Sequence, residues 1–124
     1  MYIKSYKDLQ VWQRSIELVK EIYLRTNDLP AAENYGLISQ MRRSAISVPS
    51  NIAEGYKRGN IGDYIRFLNI ADGSAAELET QIIIAKNIYH KVDFLKSESL
   101  LSETQKMLIS MIKKLNAKRF LPNS

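Results

Sequence analysis

IGDYIRFLNIADGSAAELETQIIIAKNIY, running from Ile61 to Tyr89, is the stretch that decides the fold. Tyr64, Phe67 with Leu68, Ala71, Ser74 with Ala75, Leu78, Ile82, Ala85 and Tyr89 recur at steps of three and four. That spacing places them on one side of a long helix facing a core. Asn60 or Asp63 can cap its start, since either side chain can accept a bond from an amide of the first turn. Ala71, Gly73, Ser74, Ala75 and Ala76 make its middle thin, so a neighbouring helix can approach closely. Gly73 costs about 1 kcal/mol of helix propensity against alanine, and the expectation is that packing requires it.

Working outward, 56–62 reads as a loop bounded by glycines. Before it, Ile38, Met41, Ala45, Val48 and Ile52 mark a second helix, starting between Ala31 and Tyr35 and ending near Gly55 or Arg58. Pro49 lies inside this helix, removes one ladder bond and presses on the carbonyl of Ala45. A kink over 45–49 is expected, with Ser44, Ser47 or Ser50 bonding the freed groups; a full break is the alternative. Leu9, Trp12, Ile16, Val19 and Tyr23 mark a further helix over about 8–25, widened by Val11, Leu18 and Ile22. Asp8 is its expected N-cap, and Asn27-Asp28-Leu29-Pro30 stops it, because the residue before proline avoids helical geometry. After a turn at 90–95, Leu101, Thr104, Leu108, Met111 and Leu115 mark a last helix, from Lys96 or Ser97 to Ala117. A basic, frayed tail is expected from about Lys118. Four helices joined by short loops, within 124 residues, predict an all-α single domain: an antiparallel up-down-up-down four-helix bundle.

Composition narrows the chemistry. The chain has no cysteine, which excludes disulfides, thiolate metal sites and cysteine nucleophiles, and fits a reducing compartment such as the cytoplasm. Its first residues lack the apolar core of a signal peptide, and no apolar run reaches the roughly 20 residues of a membrane span. A carboxylate-bridged dimetal site in a bundle needs two Glu-x-x-His motifs; here His90 is the one histidine, with Asn87 three residues before it. His90 reads as an exposed loop residue, and no metal or cofactor site is expected. Glu77 and Glu79 lie two apart and point to different helix faces, and nothing supplies a nucleophile or oxyanion site, so no catalytic residue is assigned.

A net charge of +5 points instead to an anionic partner. The cations picked out for nucleic-acid contact are Arg42, Arg43, Lys57, Arg58, Lys86, Lys113, Lys114, Lys118 and Arg119. Their work would be phosphate neutralisation, with salt-dependent and weakly sequence-selective binding. The 57–62 loop could also grip phosphate with the free amides of the helix it opens. Against this stands a polar network across the second and third helices. There Arg42 or Arg43 would meet Glu54, Glu77 or Glu79, and Gln40 and Asn51 would bond between helices.

Several blocks together are more specific than any of these motifs. They are Asp8-Leu9-x-Val11-Trp12; Ile22-Tyr23; Pro30-x-x-Glu33-x-Tyr35-Gly36-Leu37; Gln40-x-Arg42 through Gly55, followed by Arg58; and Phe67-Leu68-x-Ile70-Ala71-x-Gly73-Ser74-x-x-Glu77-Leu78-Glu79-x-Gln81. In these the chain closely resembles the bacterial four-helix-bundle family encoded in 23S rRNA intervening sequences. More distantly it is similar to the accessory variability protein of diversity-generating retroelements. The resemblance implies a ring-shaped homopentamer. The more distant relative implies binding of nucleic acid, RNA or DNA, and of a reverse transcriptase through a basic surface. An alternative role is a scaffold docking an acidic protein. The apolar residues agree with an oligomer: Tyr2, Ile3, Tyr6, Val11, Ile65, Ile83, Ile84 and Ile109 are too many for one interior. The turn after the third helix departs from the family's Leu-Gly-Tyr-like pattern, reading Ile88-Tyr89-His90-Lys91.

Overall fold

The computed structural model describes residues 3–119. Four α-helices follow one another: α1 (Gln10–Thr26), α2 (Leu37–Lys57), α3 (Ile61–Ile88) and α4 (Leu95–Arg119), with short 3-10 turns at Tyr6–Asp8 and Ala31–Glu33. Each helix packs on two others, α1 on α2 and α4, α3 on α2 and α4, which is the square of an up-down-up-down bundle. One end, the foot, gathers the start of α1, the α2–α3 turn and the end of α4. The other end, the head, holds the α1–α2 and α3–α4 connections. Leu18, Ile22, Met41, Val48, Ile52, Leu68, Leu78, Ile82 and Leu108 form the middle of one buried cluster.

The boundaries differ from expectation where side chains compete for backbone groups. Asp8 does not cap α1; its carboxylate accepts the amide of Lys4 at 3.0 Å. The cap position falls on Leu9, which has no side-chain bond to the helix. Helix α2 begins later than expected, because Ala31–Glu33 forms its own turn and Glu33 Oε1 then accepts the Leu37 amide at 3.2 Å. Pro49 does not break α2. Ser50 Oγ donates to the Ile46 carbonyl at 2.8 Å, and Ser47 Oγ pairs with Ser74 Oγ at 2.8 Å. Of the two candidate caps of α3 it is Asn60 that accepts the Asp63 amide, at 2.8 Å. Gly59 supplies the positive φ, 83°, that the α2–α3 turn needs.

Helices α2 and α3 form the most extensively packed pair. Gly55 is the reason at the foot, since a Cβ there would lie 2.8 Å from the Cβ of Phe67. Gly73 has no such role: it is exposed, and a Cβ would meet nothing within 4 Å, so the expectation of a packing requirement is overturned. Rings of Tyr6, Trp12, Tyr56 and Tyr64 close the foot edge to face, at centroid distances of 5.5, 6.4 and 6.1 Å along the chain of contacts. Burial pushes the Tyr64 hydroxyl up to about 12, with the neighbouring Tyr56 adding to it. Phe94, in the turn before α4, plugs the head.

The surplus of apolar surface is real, though its members change. Val11 and Ile65 are buried and belong to the interior, and Tyr6 is half-buried. Ile3, Ile83, Ile84 and Ile109 are exposed, joined by Tyr35, Ile70, Ile88 and Leu95. Tyr2 lies outside the described residues. So does most of the expected tail; Lys118 and Arg119 do not fray but continue α4, and 120–124 are outside the description.

Candidate nucleic-acid interface

The bundle brings six of the nine selected cations to its foot. Lys57 and Arg58 end α2, and Lys113, Lys114, Lys118 and Arg119 occupy the last turns of α4. All six are exposed. Lys118 and Leu115 line a groove of about 260 Å³ together with Tyr56, Gly59, Asn60, Ile61 and Tyr64 of the facing turn. The Arg119 guanidinium lies over the first turn of α3, with Nη2 3.5 Å from where a Cβ of Gly62 would be. Arg58 bonds Glu54 at 2.9 Å and stacks on Phe67 at 4.9 Å, and Arg66 stacks on the same ring at 4.5 Å.

Lys4, Lys7, Arg66 and Lys106 were missed from sequence and lie at or near the same end. No local motif marks them; only the antiparallel topology brings residues near 5, 60 and 115 together. With the chain divided at mid-height into 3–17, 48–75 and 104–119 against the rest, the foot holds eleven Lys and Arg against five Asp and Glu. The head half holds seven against eight. The net positive charge therefore belongs to one end of the molecule.

The other three cations lie elsewhere. Arg42 is engaged at the head: Nε donates to Thr26 Oγ1 at 3.0 Å, Nη2 to Asn27 Oδ1 at 3.1 Å, and the guanidinium covers the Tyr23 ring at 4.5 Å. Lys86, also at the head, pairs with Glu98 at 3.0 Å. Arg43 is exposed on the outer seam between α2 and α3. The expected network does not form. Glu54 pairs with Arg58, Glu79 accepts Gln105 Nε2 at 3.4 Å, and Asn51 bonds back to Ser47 on its own helix. In its place the seam holds an open polar groove of about 470 Å³ lined by Gln40, Arg43, Ser44, Ser47, Ser74, Glu77 and Gln81. Arg43 and Glu77 join no ion pair among the described residues, and Gln81 Oε1 is buried without a hydrogen-bond partner.

The 57–62 loop is poorly arranged to hold phosphate. Asn60 already occupies the Asp63 amide, and the Asp63 carboxylate stands in the first turn, where an anion would go. No group of His, Asp and Glu able to hold a metal occurs among the described residues. Among the described residues no helix is long and apolar enough to cross a membrane.

Residues 7–110 match the sequence model of the family described as 23S rRNA-intervening sequence protein. A crystal structure of a protein of unknown function, from the S23 ribosomal protein family of Bacteroides thetaiotaomicron, is 28% identical to the chain. It superposes with a TM-score of 0.71 over 83% of this chain and 98% of that one. No curated protein matches the chain, so the likeness to the retroelement accessory protein rests on the sequence blocks alone.

Proposed function

Since the chain belongs to the 23S rRNA-intervening sequence protein family, we propose that it is a non-enzymatic cytoplasmic protein that binds structured RNA through its basic foot as a homo-oligomer. The charge asymmetry carries this reading. Lys57, Lys113, Lys114 and Lys118 join no ion pair among the described residues, so phosphates can replace their counterions without breaking an internal bond. Among the described residues the foot presents no strand shaped for a groove and no exposed stacking platform, so recognition is by backbone and shape. Exposed Ile83 and Ile88 on α3 support self-association, and the resemblance suggests five copies. Fluorescence anisotropy of a labelled hairpin RNA and a matched DNA, titrated with salt, tests the proposal. The expected result is binding that persists near physiological salt and weakens log-linearly above it. Binding absent at that salt with both strands overturns it.

A second reading has its own observation. Ile3, Leu9, Val11, Met107 and Met111 line an apolar groove of about 590 Å³ flanked by Lys106 and Lys114, and by Asp8, whose carboxylate accepts the Lys4 amide. That combination suits an acidic amphipathic segment of a protein partner. A partner retained from nuclease-treated lysate, and lost on Lys106→Glu with Lys114→Glu, supports this reading over the first.

A further inference from the structure

The α2–α3 seam has a chemistry different from the foot. The Ser47–Ser74 contact sets the antiparallel register, so residues near 43 on α2 face residues near 77 on α3. Arg43 and Glu77 thus line one groove with opposite charges and without an internal ion pair. Gln81, one turn beyond Glu77, contributes a buried oxygen that has no donor. Ile70, Glu77 and Ile84 recur every seven residues and share a stripe of α3, and Ile70 and Ile84 are each 42% exposed. A cation, an anion and an orphan acceptor therefore share an open groove, with apolar surface at either end.

We propose that this groove binds a free α-amino acid with an apolar side chain. The planar guanidinium of Arg43 matches a carboxylate, to which it can donate two parallel bonds. An ammonium has three donors and no acceptor; the Glu77 carboxylate and Gln81 Oε1 accept from it. The last torsion of a glutamine side chain is broad, so the Gln81 oxygen turns toward the groove at little cost. The ligand's side chain then runs along the seam onto Ile84 or Ile70. A polyanion is disfavoured here by Glu77, which separates this site from the foot. A zwitterion carries both charges on one carbon, whereas a protein terminus supplies one of them and an internal peptide segment supplies both only from two separate side chains.

The test is amide NMR of the full chain with L-leucine as probe. Glycine, N-acetyl-L-leucine and L-leucinamide serve as controls lacking the side chain, the ammonium and the carboxylate. The expected result is saturable shifts confined to 40–47 and 74–84, with each control at least about tenfold weaker. Arg43→Gln and Glu77→Gln should each remove the leucine response and leave the remaining spectrum intact, since both side chains are exposed. No saturable shift with leucine up to about 10 mM overturns the proposal. So does an equal response to the N-acetyl compound, or a change in the same signals on protein dilution alone, which would mean that a second copy covers the groove.

Discussion

At the head of the bundle, charged side chains are spent on the chain's own ends. Arg42 reaches across to the last turn of α1, Arg25 lies 3.3 Å from Glu21 and 3.2 Å from Asp28, Lys86 meets Glu98, and Tyr89 donates to Glu33. At the foot Arg58 and Arg66 have carboxylate partners, while Lys57, Lys113, Lys114 and Lys118 have none among the described residues. The helix dipole does not explain this difference, because two helices end at each level and basic residues occupy the last turn of all four. Lys20, Arg43, Lys91 and Lys96 of the head half also join no ion pair among the described residues, so the ends differ in net charge and not in whether a given cation is available. Composition alone registers only the sum.

The largest expected effect is a direct contest between the ends. Exchanging Lys113, Lys114, Lys118 and Arg119 for glutamine should weaken hairpin-RNA binding by at least about 100-fold at low salt and lower the log-log salt slope by about 3. Exchanging Lys86, Lys91 and Lys96 should change affinity less than about twofold. Equal losses in anisotropy would mean that total charge governs binding and that the ends are equivalent. Next in size is the backbone approach near the foot. Gly55→Ala should cost about 2 kcal/mol, since its Cβ overlaps Phe67. Gly73→Ala, which meets nothing, should gain about 1 kcal/mol in urea unfolding at unchanged m.

These two glycines show where sequence reading stops. Helices, order and most of the core were legible because the apolar steps of three and four record burial directly: Leu18, Ile38, Met41, Leu78 and Leu108 are all interior. A glycine records only that a side chain is absent. Whether a neighbour needs the space depends on a helix with no sequence adjacency, and here Gly55 is the close contact while Gly73, amid the small residues of α3, meets nothing. The foot was half legible for the same reason. Runs such as Lys57-Arg58 and Lys113-Lys114 stand out, whereas Lys4, Lys7 and Arg66 join them only through topology. The head's turns were legible, but its side-chain pairings could not be read from pattern. Arg42 and Arg43 are adjacent in sequence, but helical geometry separates them by about 100°. One turns to α1 and is held; the other stays on the outer seam.

That adjacent pair sharpens the comparison at a smaller scale. Arg42→Ala removes bonds to Thr26 and Asn27 and should cost about 1–2 kcal/mol of stability while leaving RNA affinity unchanged. Thr26 makes the loss costly, because its buried hydroxyl donates to the Ile22 carbonyl at 2.6 Å and loses its guanidinium donor. Arg43→Ala should change stability by less than about 0.5 kcal/mol. Calorimetry that finds the two equal would place Arg42 in solution with Arg43 and remove the distinction between engaged and available cations.

The smallest effect concerns the bond that joins the Ala31–Glu33 turn before α2 to the end of α3. The Tyr89 hydroxyl donates to Glu33, and together with the Leu37 amide it holds the Glu33 carboxyl below its ordinary 4.5. The same bond holds the Tyr89 hydroxyl above its ordinary 10.0. For Glu33 the folded value is the lower one, so its contribution is present above 4.5 and is lost as pH falls through the folded value. For Tyr89 the folded value is the higher one, so its contribution is present below 10.0 and is lost as pH rises through the folded value. Tyr89→Phe should therefore move the Glu33 carboxyl upward in a carbon-detected NMR titration, short of 4.5 because the Leu37 amide remains. It should also make stability less steep in pH at both extremes, with no change in RNA binding at neutral pH. An unmoved Glu33 titration would show that the Leu37 amide alone sets its value, and the head would then be closed by packing around Phe94 and by Arg42.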